Sequence, residues 1–164
     1  MFASLLLALA SLAGTQDVAV ATTYIPVPGS PAQRLALHCA QPLQPSRKSV
    51  LFIHGASFPT MLASGFEFGP GDSWIAFTAR KGYVSCGLDF LGFGASSRPP
   101  AMLGPAHGEA PVTDAKEAAH EIALAVDYLR RQGMTDVHIV AHSWGTVPAA
   151  AFAATHPHAL TSLT

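Results

Sequence analysis

The chain is poor in charge. Its 164 residues carry 9 Lys and Arg against 10 Asp and Glu, a formal net charge of −1. No basic stripe runs along it, which excludes the electrostatic footprint of a nucleic-acid-binding surface. No apolar run approaches the roughly 20 residues that a membrane-spanning helix needs. There are only two cysteines, Cys39 and Cys86, and no CxxC or Cys/His cluster. A zinc site therefore has no support, and no metal or organic cofactor is implied. Taken alone, both cysteines read as small buried apolar residues. The last scarcity is local: the 21 residues after Ser143 contain neither Asp nor Glu.

What is present is apolar and well punctuated. The length suits one domain, and the 13 prolines and 14 glycines fall mostly between apolar runs, as in a folded chain with many turns. The N-terminal MFASLLLALASLAG is apolar but short. It has two readings: the core of a secretory signal, with a small-residue exit at Ala19-Val20-Ala21 or Ser11-Leu12-Ala13, or an extension outside the fold. No Lys or Arg precedes it, against the usual signal pattern. Residues 1–21 are accordingly set apart from a folded region over 22–164. The compartment stays open between the periplasm or exterior and the cytoplasm.

Three short apolar runs, Val50 to Gly55, Tyr83 to Phe90 and Val137 to His142, read as buried strands. Thr22–Val27 and Gln33–Cys39 alternate loosely and read as a hairpin turning at Pro28 and Gly29. Helical patterns separate the buried strands. One runs from Asp72 to Arg80, with Asp72 or Ser73 as N-cap and Gly82 as its stop. A second spans Asp114 to Gln132, with Ala115, Ala118, Ala119, Ile122, Val126 and Leu129 on one face. Lys116, Glu117, His120, Glu121, Asp127, Arg130 and Arg131 fall largely on the other. Asp114 and Glu117 have capping-box spacing, and Gly133 ends the helix. A third runs from about Trp144 to Thr155. Strands alternating with helices predict an α/β fold with a mostly parallel sheet and flanking helices.

Ser143 sits where a buried strand gives way to a helix. Such a turn must be tight, and Ala141 and Gly145 supply small residues on either side. The pattern small-x-Ser-x-small is that of a nucleophile elbow, which lifts a hydroxyl above the sheet edge and aims a helix N-terminus at it. Two more stretches carry weight beside it: "FIHGAS", with His54-Gly55 at a strand end, and "DFLGFGASSRP", Asp-x-x-Gly-x-Gly-x-Ser from Asp89. With these motifs in this order, the chain resembles the α/β-hydrolase family from roughly Thr22 onward.

The resemblance implies roles. Ser143 would attack a carbonyl carbon and form an acyl-enzyme. The backbone N–H groups of Ala56 and Trp144 would form the oxyanion hole. His54 would support the oxyanion loop rather than act as a base. His142 would pack beside the elbow, and Asp89 would tie down its own loop by accepting from nearby N–H groups. His38, His107, His120, His138, His156 and His158 look scattered. Trp144 and Phe58 would line the substrate pocket, with Met61, Phe66 and Phe68 either continuing its wall or packing as ordinary loop residues. The partner is then a small acyl substrate: an uncharged, fairly apolar ester, thioester or lactone. A serine at the elbow argues against the dehalogenase and epoxide hydrolase branches, which use a carboxylate.

In this family the acid and the histidine follow the serine. Here His156 ends the helix that begins at the elbow, about 18 Å away at 1.5 Å per residue. The resemblance thus implies that the later strands, the acid, the base and any cap lie beyond Thr164, leaving this chain a weak catalyst alone. Two alternatives stand beside the esterase. Ser-Trp-Gly is similar to the elbow of proline-iminopeptidase-like exopeptidases, although "HGASFP" replaces their Gly-Gly-Pro-Gly run. A non-catalytic remnant that binds a ligand or another chain is the third reading. Finally, the family's topology makes the second and fourth strands antiparallel neighbours, which would let Cys39 and Cys86 pair in an oxidising compartment.

Overall fold

The computed structural model describes residues 18–105 and 113–164. Most of the expected signal or extension, and His107, lie outside the described residues. Six strands form one sheet: β1 (Val20–Val27), β2 (Ser30–Ala40), β3 (Lys48–Ile53), β4 (Val84–Asp89), β5 (Asp136–Ala141) and β6 (Ser162–Leu163). Three α-helices accompany them: α1 (Trp74–Arg80), α2 (Ala115–Arg131) and α3 (Thr146–Thr155).

The strand order is β1-β2-β4-β3-β5-β6. The hairpin β1–β2 joins β4 antiparallel, whereas β4, β3, β5 and β6 run parallel. Parallel strands need crossovers, and α1, α2 and α3 supply them. Every position of β4 is buried, and so is every position of β3 after Lys48, as expected of strands covered on both faces. On one face Leu51, Ile53, Cys86, Leu88, Val137 and Ile139 pack against Ala118, Ile122, Val126 and Leu129 of α2 and Ala149 and Phe152 of α3. On the other, Ala40, Val50 and Phe52 pack against Ile75 and Ala79 of α1.

The caps are local chemistry. Ser73 caps α1 by accepting from the Ala76 N–H at 3.2 Å. Asp72, the alternative cap, instead accepts from the Phe68 and Gly69 N–H groups at 2.7 and 2.9 Å. The Asp114–Glu117 capping box is formed at the start of α2, and Gly133, at φ 90°, ends that helix.

Several boundaries and faces differ from the sequence reading. β1 starts at Val20, so the division at Ala21 falls inside a strand paired to β2. α3 starts at Thr146, because Ser143–Gly145 forms a tighter 3-10 turn first. Glu121, expected on the polar face of α2, is buried. It lies three residues from Ala118 and four from Ala125 on the same helical arc, and it accepts from the Leu91 N–H at 2.9 Å. The cysteines are not free apolar fillers. Cys39 and Cys86 stand directly opposite in the β2–β4 register and form a disulfide, with Cα atoms 4.1 Å apart.

Two expectations follow. The bridge closes a loop of sequence separation 47, so reduction, or Cys39→Ala with Cys86→Ala, should lower the unfolding free energy by roughly 2–4 kcal/mol. Urea titration with and without dithiothreitol checks this, and coincident midpoints would contradict it. Burial pushes the Glu121 carboxyl up to about 7; the Leu91 N–H opposes this and the Glu117 charge adds to it. A carboxyl raised in the folded state costs nothing below its unfolded pKa, and the cost grows as pH rises toward the folded value. The penalty should therefore develop between about pH 4.5 and 7 and level off near roughly 3 kcal/mol above that. Glu121→Gln should be the more stable protein at pH 8, with the difference vanishing by pH 4.5. Parallel stability–pH curves for the two would refute the assignment.

Candidate functional site

The site forms where β3 and β5 end side by side. Ile53 pairs with Ala141, and the His142 N–H continues the ladder to the Ile53 carbonyl at 3.0 Å. The chain then turns sharply. Ser143 has φ 54°, and among the described residues it is the one non-glycine with positive φ. That conformation is strained for a residue with a Cβ. The turn is closed by the Gly145 N–H donating to the His142 carbonyl at 3.0 Å and by the Thr146 hydroxyl donating to the Ser143 carbonyl at 2.7 Å.

Two glycines let this turn press on β3. A Cβ at Gly145 would lie 2.4 Å from the His54 carbonyl oxygen, and one at Gly55 would lie 3.0 Å from Ser143 Cβ. Gly145 has ordinary helical dihedrals, so close approach, not φ, demands glycine there. Ser143 is exposed, and its hydroxyl bonds no other described residue. It opens onto a cavity of about 250 Å³ lined by Gly55, Ala56, Phe58, Leu62, Ala63 and His142. A second cavity, of about 400 Å³, lies beside Ala56 and Trp144 and is walled by Phe93, Thr113 and Ala115. Neither the Ala56 nor the Trp144 N–H bonds another described residue.

His54 is buried, and both its ring nitrogens are occupied. Nδ1 donates to the Gly55 carbonyl at 2.6 Å, and Nε2 accepts from the Phe90 N–H at 3.2 Å. Phe90 and Phe93 hold the ring with centroids 4.9 Å away. Desolvation lowers its pKa, against the Gly55 hydrogen bond and the Asp89 charge, so the imidazole is neutral at pH 7. Trp144 is half-buried and meets Phe90 edge-on at 5.9 Å.

Asp89 is the most heavily bonded acid near the site. It accepts from the Thr60 N–H at 2.8 Å, the Ala95 N–H at 2.9 Å and His38 Nε2 at 2.9 Å. Burial alone would raise its carboxyl, but these hydrogen bonds outweigh it and hold it at about 2. Gly94 is required twice over: its φ is 47°, and a Cβ would sit 1.8 Å from Asp89 Oδ2. Ser96 closes the motif by donating to the Asp89 carbonyl at 2.6 Å and accepting from the Ala36 N–H at 2.7 Å.

Some expectations shift. His142 does not pack beside the elbow; it is exposed and lines the cavity onto which Ser143 opens, because it continues the strand face of Val140, which at this end meets the 58–64 segment. The anticipated aromatic wall reduces to Phe58, joined by Leu62 and Ala63. Phe66 and Phe68 pair with each other at 5.1 Å, and Met61 folds over Gly65. His38 is not a stray histidine but a buried partner of Asp89. Its signal was the alternation of β2, which puts Ala36, His38 and Ala40 on one inward face. His156 stacks on Phe152 at the far end of α3, and no described carboxylate or histidine bonds the Ser143 hydroxyl.

The family model for the alpha/beta hydrolase fold matches residues 37–164. No curated protein sequence matches the chain. Solved structures do. The thioesterase domain from the curacin biosynthetic pathway superposes with TM-score 0.65 at 20% identity, over 88% of this chain and 43% of that one. A predicted CIB-like hydrolase from Thermoplasma acidophilum gives 0.62 at 24% identity, over 89% of this chain and 61% of that one. The epoxide hydrolase VrEH1 from Vigna radiata gives 0.62 at 17% identity, over 92% and 40%. The chain thus spans less than two thirds of the length of each.

Because a methyl at position 145 would meet backbone rather than a flexible side chain, Gly145→Ala should destabilise the fold by about 2–3 kcal/mol. It should also displace the Ser143 turn. Chemical denaturation, together with the chemical shifts of the Ile53–Ala56 amides, reads both; wild-type stability and shifts would show that the approach is looser than described.

Proposed function

Because the chain belongs to the α/β-hydrolase fold family, we propose that it is the nucleophile-bearing part of a serine hydrolase that acts on a carboxylic ester, thioester or lactone. One observation carries this reading: a serine held at φ 54° with its hydroxyl unengaged, opening onto a cavity shared with Ala56. A residue is kept in a strained conformation only where the surroundings over-determine it, and here two close glycine contacts do so. The relatives differ in chemistry, a thioesterase in one case and an epoxide hydrolase in another, so fold alone does not select the reaction. The hydroxyl at the elbow supports acyl transfer.

In that reading Ser143 Oγ adds to the substrate carbonyl carbon. The Ala56 and Trp144 N–H groups, both without a partner among the described residues, receive the developing oxyanion, where each donor is worth about 3 kcal/mol. His54 acts through backbone: with both nitrogens committed it cannot take the serine proton, and it instead ties Gly55 to Phe90. The two cavities divide the substrate. Phe58, Leu62 and His142 face one side of Ser143, and Phe93 and Trp144 the other. Their walls are mostly apolar, with His142 in one and Asp114 in the other as the titratable exceptions, which favours an uncharged substrate. The proton acceptor and its carboxylate partner come from outside the described residues.

A second reading, a non-catalytic binding module, is favoured by the lack of any described acid or base on the Ser143 hydroxyl. The two separate on a covalent test. The natural protein carrying this chain should take up a fluorophosphonate on Ser143, seen as a mass increment on that peptide and absent from Ser143→Ala. It should also turn over an aryl ester faster than a prolyl amide. No adduct and no ester turnover would sink the hydrolase reading, and faster amide turnover would move it to the exopeptidases.

A further inference from the structure

The proposed oxyanion donor Ala56 lies on a loop that leaves β3 at Gly55 and returns to the sheet at Thr60. What holds the far end of that loop is specific. Thr60 is buried, yet its hydroxyl has no partner among the described residues. Its Cγ2 rests on the bare backbone of Gly87, where a Cβ would come within 2.2 Å. The side-chain acceptor that the residue reaches through its N–H is Asp89 Oδ1, at 2.8 Å. The carboxylate therefore tethers the Thr60 end of the loop.

Asp89 in turn is oriented from β2. An ionised carboxylate only accepts, so His38 Nε2 carries the proton shared with Oδ2 at 2.9 Å. Nδ1 of the same ring meets the Thr22 hydroxyl of β1 at 2.9 Å. The ring is thus gripped at both nitrogens, and His38 and Asp89 are only 5% and 1% exposed. Gly94 closes the space behind Oδ2. We propose that His38 is a positioning residue: the chain Thr22–His38–Asp89–Thr60 braces the Gly55–Thr60 loop against Ser143. Its consequence for catalysis rests on the acyl-transfer reading above; the brace itself does not.

Without His38, Oδ2 keeps a single donor, the Ala95 N–H, in a place water does not reach. A buried charged oxygen that has lost a partner is costly. The carboxylate turns to recover a donor, and Thr60 loses its tether. A neutral side chain that still presents an N–H toward Oδ2 avoids this, so glutamine substitutes where leucine cannot.

The test is amide hydrogen exchange on the full chain in wild type, His38→Leu and His38→Gln. In His38→Leu the Thr60 and Ala95 amides should exchange about tenfold faster or more, while Leu51 and Ile139 at the sheet centre stay within about twofold. His38→Gln should restore most of the protection. No change at Thr60, or equal acceleration across the sheet, would overturn the brace. Thr22→Val, at an exposed position of β1, serves if His38→Leu does not fold. It should speed the same two amides by a few-fold, roughly, and unchanged exchange there counts equally against the proposal. The rate of fluorophosphonate capture by Ser143 should fall about 10- to 100-fold in His38→Leu, with recovery in His38→Gln. Unchanged capture beside a loosened Thr60 would overturn the link to Ser143. If wild-type Ser143 captures nothing, the acyl-transfer reading fails instead, and the exchange data alone decide the brace.

Discussion

Two strand ends pressed together without side chains between them underlie the rest of this structure. β3 and β5 finish level, Ile53 against Ala141, and the backbone that follows β5 comes within contact of the His54 carbonyl and Gly55. Such an approach demands glycine at 145 and is tight for any larger residue at 55, and Ser143 at its centre sits in the left-handed region. The hydroxyl consequently stands clear of its own helix and clear of the sheet. The exposure of Ser143 and the cavity in front of it follow from that contact, beside Ala56 and Trp144 N–H groups that bond no other described residue.

Around it, the neighbouring groups are rigid and already satisfied. His54 spends one nitrogen on Gly55 and the other on Phe90, and is packed between two phenylalanine rings. Asp89 spends both oxygens on three donors from three segments. Buried polar groups with complete hydrogen bonding fix one arrangement, because any alternative leaves a charge or dipole unpaired at low dielectric. These hydrogen bonds tie loops 55–60 and 90–97 to each other and to β2. Against that framework the Ser143 hydroxyl stands exposed and bonds no other described residue.

The hairpin β1–β2 belongs to this framework although it lies at the sheet edge. Its disulfide to β4 and its His38 contact with Asp89 come from adjacent residues, Cys39 and His38, on opposite faces of the same strand. One clamps the hairpin to the helix-covered core that contains Cys86 and Leu88. The other reaches the face where Thr60 sits. β2, between β1 and β4, is thus fixed to β4 by a disulfide and to Asp89 by a hydrogen bond.

Much of this was legible in the chain. Alternating apolar runs and helical periods specified an α/β sheet, since burial on both faces demands continuous apolar strands. The elbow, the His-Gly stretch and the Asp-x-x-Gly-x-Gly-x-Ser loop marked the site because tight turns and close approaches tolerate few residue types. Local chemistry specified the caps at Asp114 and Ser73 or Asp72, the last choice being open until the backbone gave Asp72 other donors. The partners of His38, the burial of Glu121, the exposure of His142 and the choice of Phe58 over Phe66 and Phe68 were decided by tertiary structure. Each depends on which distant segment lies opposite, and strand order, not sequence spacing, brings those segments together.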